Sequence, residues 1–160
     1  MSLCSKSKKA LWAFSLLLMM CAAPSASHAQ DITEITPLSY GEIAITSYSN
    51  VARVSISGSG SVSTNAYVYL HSTPQRGEYQ VTGAPPSAAY TVNLPPSVDL
   101  IGPGGRYFRL DNFEISPALH VTNASGEDTF YIGARMQSQG GGVVYSDGAY
   151  NGVINIILAF

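Results

Sequence analysis

The stretch TFYIGARMQ, residues 129–137, sets Phe130, Ile132, Ala134 and Met136 at alternate positions, with Tyr131, Gly133 and Arg135 between them. A period of two is the side-chain period of a β-strand. On a helix the same apolar set would be spread around the whole circumference. One face of this strand belongs in a core and the other can meet water. Working outward, shorter runs repeat the pattern. Ser39 to Thr46 carries Tyr40, Ile43 and Ile45, and residues 51–57 alternate Ala52, Val54 and Ile56 with Arg53 and Ser55. Residues 65–71 put Val68 and Leu70 on one face and Tyr67 and Tyr69 on the other. Tyr79 with Val81, Tyr90 with Val92 and Leu94, and Leu119 with Val121 mark three more. Residues 107–115 hold Phe108, Leu110, Phe113 and Ile115, with a break near Asp111-Asn112. Gly58-Ser59-Gly60, Pro85-Pro86, Pro95-Pro96, Gly102-Pro103-Gly104-Gly105 and Gly140-Gly141-Gly142 interrupt these runs. Such segments cannot continue a regular ladder. The reading is all-β, a sandwich or small barrel of about seven to nine short strands, with no second domain.

The N-terminus reads as a secretory signal. Lys6, Lys8 and Lys9 precede an apolar run from Ala10 to Ala23, and Ser27-His28-Ala29 supplies small residues before a cut after Ala29. The run is shorter than the roughly 20 residues that a membrane-spanning helix needs. Met20 before Cys21 is too large for a lipidation site. The expected organisation is therefore a signal peptide over 1–29, removed on export, and one β-domain over 30–160. Both cysteines, Cys4 and Cys21, fall in the signal, so the exported domain has no disulfide or thiol and depends on its apolar core. All three lysines fall there too. Five arginines against ten acids then leave a formal charge of −5, which excludes a phosphate-neutralising surface and a nucleic-acid partner. Charged residues are only 11% of the chain, a composition that suits a protein burying surface against partners.

A search for chemistry finds no set that works together. His71 and His120, without cysteine and without HxH or HExxH spacing, make a poor metal site, and each reads as a surface or strand-end histidine. No GxSxG elbow occurs. Glu127-Asp128 is the one adjacent carboxylate pair outside the signal, and neighbours on a strand point to opposite faces. Asn123-Ala124-Ser125 fits a glycosylation sequon but reads as a turn. The expectation is no enzyme, no cofactor and no metal. Tyr67 and Tyr69 are candidate surface-binding aromatics, because tyrosine rows can stack on sugars or proteins.

The last eleven residues are apolar on nearly both faces. Tyr150, Gly152, Ile154, Ile156, Leu158 and Phe160 share one, and Val153, Asn155, Ile157 and Ala159 share the other. Such a strand is expected to be covered on both sides, since an exposed one would aggregate. It is either an interior strand or the border of a groove that another chain completes. Tyr150, Ile154, Ile156, Leu158 and Phe160 are the candidate strand-complementation interface.

Four pieces in order carry a resemblance. Leu38-Ser39-Tyr40-Gly41-Glu42-Ile43 resembles L-x-[FY]-G-x-I. Glu78-Tyr79-Gln80-Val81-Thr82-Gly83 and Ala89-Tyr90-Thr91-Val92-Asn93-Leu94-Pro95 resemble F-x-V-x-G and Y-x-I-x-L-P. Phe130-Tyr131-Ile132-Gly133-Ala134 resembles F-x-V-G-[AG], and Gly148-Ala149-Tyr150-Asn151-Gly152 opens a closing G-x-Y-x-G strand. Together they resemble the DUF4402 family from Leu38 to Phe160. The ending is also similar to that of spore-coat-U-like and archaic chaperone–usher pilin subunits, which are Ig-like sandwiches joined by donor strands. The resemblance implies an Ig-like antiparallel β-sandwich and an exported structural subunit of a bacterial surface appendage or coat. Its location would be the periplasm, the cell surface or the medium. The implied partners are other subunits or further copies of the chain, with a periplasmic chaperone and a glycan as further candidates. A disulfide shared by those pilins is absent here. Gln30 to Pro37 is too short and too poorly patterned for a donor strand, because Ile32 and Ile35 fall on opposite faces. The alternatives are a self-contained secreted or surface module binding a glycan or protein, and a small outer-membrane β-barrel with a terminal phenylalanine.

Overall fold

The structure, a computed structural model, describes residues 30–160. The expected signal peptide lies outside the described residues. The described chain forms an antiparallel β-sandwich, and the strand that organises it is β11 (Asp128–Gln137). One edge of β11 pairs with β9 (Tyr107–Ser116), which pairs in turn with β8 (Ser97–Ile101). The other edge is shared end to end. Its first half, residues 128–132, pairs with β6 (Gly77–Thr82), and its last residues, 135–137, pair with β3 (Arg53–Ile56). Beyond these, β1 (Asp31–Thr36) pairs with β6 and β4 (Val62–Thr64) with β3. The second layer has two separate pieces. In one, β7 (Ala89–Asn93) lies between β10 (His120–Val121) and β12 (Ile157–Ala159). In the other, β2 (Ile43–Ile45) pairs with β5 (Val68–Leu70).

The alternation in 129–137 accounts for this position. Phe130 and Ile132 have no exposed surface, and Ala134 and Met136 are buried beside them. Met136 joins Tyr40, Val54, Ile56, Val68, Phe108 and Leu110 in one core, while Phe130 and Ile132 join Tyr79, Val81 and Tyr90 in a second. Phe113 packs against both cores. The outward side chains do the opposite. Arg135 donates through Nε and Nη2 to Asp111 at 2.8 and 3.0 Å, and Gln137 Nε2 donates to the same carboxylate at 3.0 Å. Arg76 lies over the Tyr131 ring at 3.6 Å.

Between the two half-edges of β11 lie Gly133 and Ala134. The β3 chain passes so close here that a Cβ on Gly133 would collide with the backbone of Ile56 and Ser57. On the β9 side the register slips between Gly133↔Glu114 and Arg135↔Asp111, so β9 carries one extra residue. Asn112, with φ 49°, sits in that bulge, one of the few residue types that tolerates this conformation. The break read at Asp111-Asn112 is therefore a bulge inside one continuous strand. Freed from a ladder partner, the Ala134 carbonyl accepts the Tyr40 hydroxyl at 2.8 Å. Burial, aided by the Asp111 charge, pushes that phenol well above the usual tyrosine range, so it stays a donor.

The strand number, the C-terminal run and the place of His120 need correction. The described residues form twelve strands, three of them outside the runs read from sequence. The segment before Leu38, read as too short and poorly patterned for a donor strand, forms β1 in the sheet, with Ile32 half-buried and Ile35 exposed. Residues 150–160 are not one strand covered on both sides. Only Ile157–Ala159 pairs, and Val153 and Ile157 are 78% and 63% exposed. His120 does begin a strand but is buried rather than on the surface, its ring between Tyr90 (centroids 5.1 Å) and Phe130 (5.8 Å). The sequon is a turn: the Asn123 side-chain oxygen accepts from the amides of Ser125 and Glu127 at 2.8 and 3.0 Å.

Two predictions follow from β11 and its neighbours. Tyr40→Phe leaves the Ala134 carbonyl buried without its donor and is expected to cost about 1–3 kcal/mol in denaturant unfolding. Gly133→Ala meets backbone rather than a movable side chain, so it should cost more than Tyr40→Phe, and equal midpoints for the two variants would contradict this packing. The second concerns His120, whose Nδ1 is buried without a hydrogen bond and 3.9 Å from Asp128 Oδ2. Burial lowers its pKa, with the Asp128 charge opposing. The unfolded chain therefore takes up this proton near the ordinary value of about 6.5, while the folded chain resists. Stability should fall as pH drops below about 6.5, until the folded histidine also protonates. Thermal melts at pH 7.5 and 5.5 should differ less for His120→Gln than for the parent.

Candidate functional site

A cleft of about 1040 Å³ opens in the second layer. Its first wall is the chain from Pro37 through β2, and its second is the run from Tyr145 to Ile154 that leads into β12. The floor is Leu100 of β8, Phe108 and Leu110 of β9, and Met136 of β11, with Tyr79 and Glu34 also in the lining.

Each wall is built by a sequence piece whose glycines have a steric task. In the first, Gly41 has φ 67° and a Cβ there would strike the Ser72 hydroxyl, which instead accepts from the Glu42 amide at 2.6 Å. Tyr40 inserts inward to Ala134, and Leu38 and Ile43 pack on the core beside it. In the second, Tyr145 stacks on Phe108 at 4.4 Å and Tyr150 meets the same ring edge-on at 4.8 Å. The Tyr145 hydroxyl accepts from the Gln139 amide at 2.8 Å and donates to the Tyr107 carbonyl at 3.1 Å. Tyr150 donates to the Ser146 carbonyl at 2.9 Å. Gly102 admits the Tyr150 ring, with which a Cβ would collide, and Gly152 lies against Asp99 and Leu100 with no room for a Cβ. Asn151 exchanges both backbone hydrogen bonds with Ile101, at 2.8 and 3.1 Å. Burial raises the pKa of both Tyr145 and Tyr150, which keeps their hydroxyls protonated. Tyr79 donates to Glu34 at 3.3 Å, and burial, reinforced by that carboxylate, pushes it up to about 12.

After Asn151 the second wall changes character. Residues 152–156 belong to no strand, and among the described residues their backbone groups have no backbone partner. Yet their side chains keep the strand alternation: Ile154 and Ile156 are half-buried while Val153 and Asn155 are exposed. Across the cleft, β2 bonds to β5 on one edge and has no strand on the other among the described residues. Two backbone edges thus border an apolar floor.

The candidate row from the sequence is divided by this geometry. Tyr150 and Ile154 line the cleft. Ile156 and Leu158 pack on the second core, and Phe160 stacks on Tyr90 at 5.1 Å while 45% exposed. Tyr67 and Tyr69 both face solvent outside the cleft, with Tyr69 edge-on to His71 at 5.0 Å. Sequence reasoning missed the facing wall, Glu42 to Ile45, and the loop residue Asp147. Nothing local distinguishes β2 from the other short runs, and its role comes from what lies opposite. Carboxylates of Glu34, Glu42 and Asp147 stand in the lining, and no lysine, arginine or histidine does.

Among the described residues no helix is long and apolar enough to cross a membrane. Neither a curated protein nor a solved structure matches this chain. A family model described as a domain of unknown function, DUF4402, matches residues 31–160. It spans the three glycine-bearing pieces that build β11 and the two walls, and by that match the chain belongs to the DUF4402 family.

Proposed function

We propose that this chain is an exported structural subunit of a bacterial surface appendage or coat, joined to its neighbours by β-strand complementation. An extended segment of another subunit lies in the cleft between β2 and residues 152–156. The observation that carries this reading is the unpaired, strand-patterned run 152–156 beside an apolar floor. Unpaired strand edges are what natural sheets normally cover. An added strand would take up those backbone groups and set alternate side chains on Phe108, Leu110 and Met136. The chain's N-terminal strand is already paired to β6, so the complementing segment comes from elsewhere.

A second reading is a self-contained secreted module that binds a glycan or protein through Tyr67 and Tyr69. It draws on their exposure, 36% and 60%, and on the cover that Ile156 and Leu158 find within the molecule.

The two readings separate in cells that make the protein. Complementation predicts SDS-resistant, high-mass species that Ile154→Asp abolishes, while the purified variant still melts cooperatively. Should the aspartate unfold the domain, Ile154→Ala provides the milder test. Unchanged high-mass species in a folded Ile154 variant, or a parent protein that stays monomeric on the cell surface, would defeat the subunit reading. Sugar binding lost in Tyr69→Ala would favour the module.

A further inference from the structure

Resting on the strand-complementation reading, we infer that the segment received by the cleft is cationic at its flanks and belongs to a different protein, not to a second copy of this chain. The reason is the charge of the lining. Glu34, Glu42 and Asp147 are exposed there, none of them has an ion-pair partner among the described residues, and no cationic side chain lines the cleft. Two of the five arginines among residues 30–160 are engaged on the outer face of the first sheet, and Arg53, Arg76 and Arg106 are not part of the lining. Arg109 pairs with Asp99 at 3.0 Å and Arg135 with Asp111 at 2.8 Å. The apolar floor specifies alternation in the guest, and the carboxylates specify the sign of its charge.

A second copy offers the wrong sign. Its first strand, Asp31–Thr36, carries Asp31 and Glu34 and no base. Residues 30–160 as a whole have a formal charge of −5. Placing Asp31 and Glu34 among Glu34, Glu42 and Asp147 would set like charges together, which acts against the wrong partner as the floor acts for the right one. Exposed charge pairs contribute little singly, so three carboxylates give selectivity and not the main affinity. The main affinity is left to backbone pairing and apolar burial.

The experiment uses the purified protein and four labelled peptides followed by fluorescence anisotropy. They are KVTVTVTVK, its glutamate-ended counterpart EVTVTVTVE, the lysine-ended control KSTSTSTSK, and the chain's own residues 30–38. KVTVTVTVK is expected to bind about tenfold more tightly than each of the others, a difference of about 1.4 kcal/mol. Its advantage over EVTVTVTVE should shrink severalfold in the Glu42→Gln/Asp147→Asn double variant and at about 0.5 M salt. If EVTVTVTVE or residues 30–38 bind as tightly as KVTVTVTVK, the cationic guest is overturned while strand docking stands. If KSTSTSTSK binds equally, the attraction is charge alone and the inference fails. If no peptide binds protein shown to be folded by circular dichroism, both the inference and the reading beneath it fall.

Discussion

The packing of Phe130, Ile132, Ala134 and Met136 beneath both pieces of the second layer is the constraint on which the rest depends. These four side chains leave the same face of β11, so one strand supplies both cores. The strand's edges then determine the first sheet. Neither β6 nor β3 could occupy its whole second edge without excluding the other, and the point of division falls on the residue without a Cβ, Gly133. The cost of dividing a ladder is an orphaned carbonyl, and Tyr40 from the opposite layer satisfies it. That one hydroxyl also fixes the start of the cleft's first wall, so the core and the site share a hydrogen bond.

The second layer lacks continuity, unlike the first sheet. Its two pieces are held down separately, β2 by its apolar side chains on one core and β12 by Leu158, with Ile156 just before it, on the other. The cleft is the space between them. In an ordinary sandwich that space would hold a strand, and here the run 152–156 has a strand's side-chain alternation without a strand's hydrogen bonds. A sequence that pays the cost of alternating Ile154, Ile156 and Leu158 with exposed positions, but pairs only three of the residues, is patterned for more sheet than the described residues supply.

Legibility differed sharply between elements. The alternation in 129–137 and in β6 was strong enough to be read directly, because those strands are buried on one full face. The N-terminal strand was not legible: Ile32 and Ile35 are three apart, and a register shift between Glu34 and Thr36 leaves Ile35 exposed. That strand is held by backbone pairing to β6, and backbone pairing writes no side-chain signature. His120 failed for a related reason. A two-residue strand offers no period, and its burial comes from Tyr90 and Phe130, which are distant in sequence.

By itself the sequence determined the strand-rich class, the turns and the face of each well-patterned strand, because these depend on neighbours one to four residues away. It also set the apolar alternation of the C-terminal run. Only the tertiary structure decided that part of that run faces β2 across a cleft, which of its residues stay at home and which border the opening, and that the lining carries acids without bases. Those properties arise from residues as far apart as Glu34 and Ile154. Proximity across such distances is created by packing, and no local pattern of side chains records it.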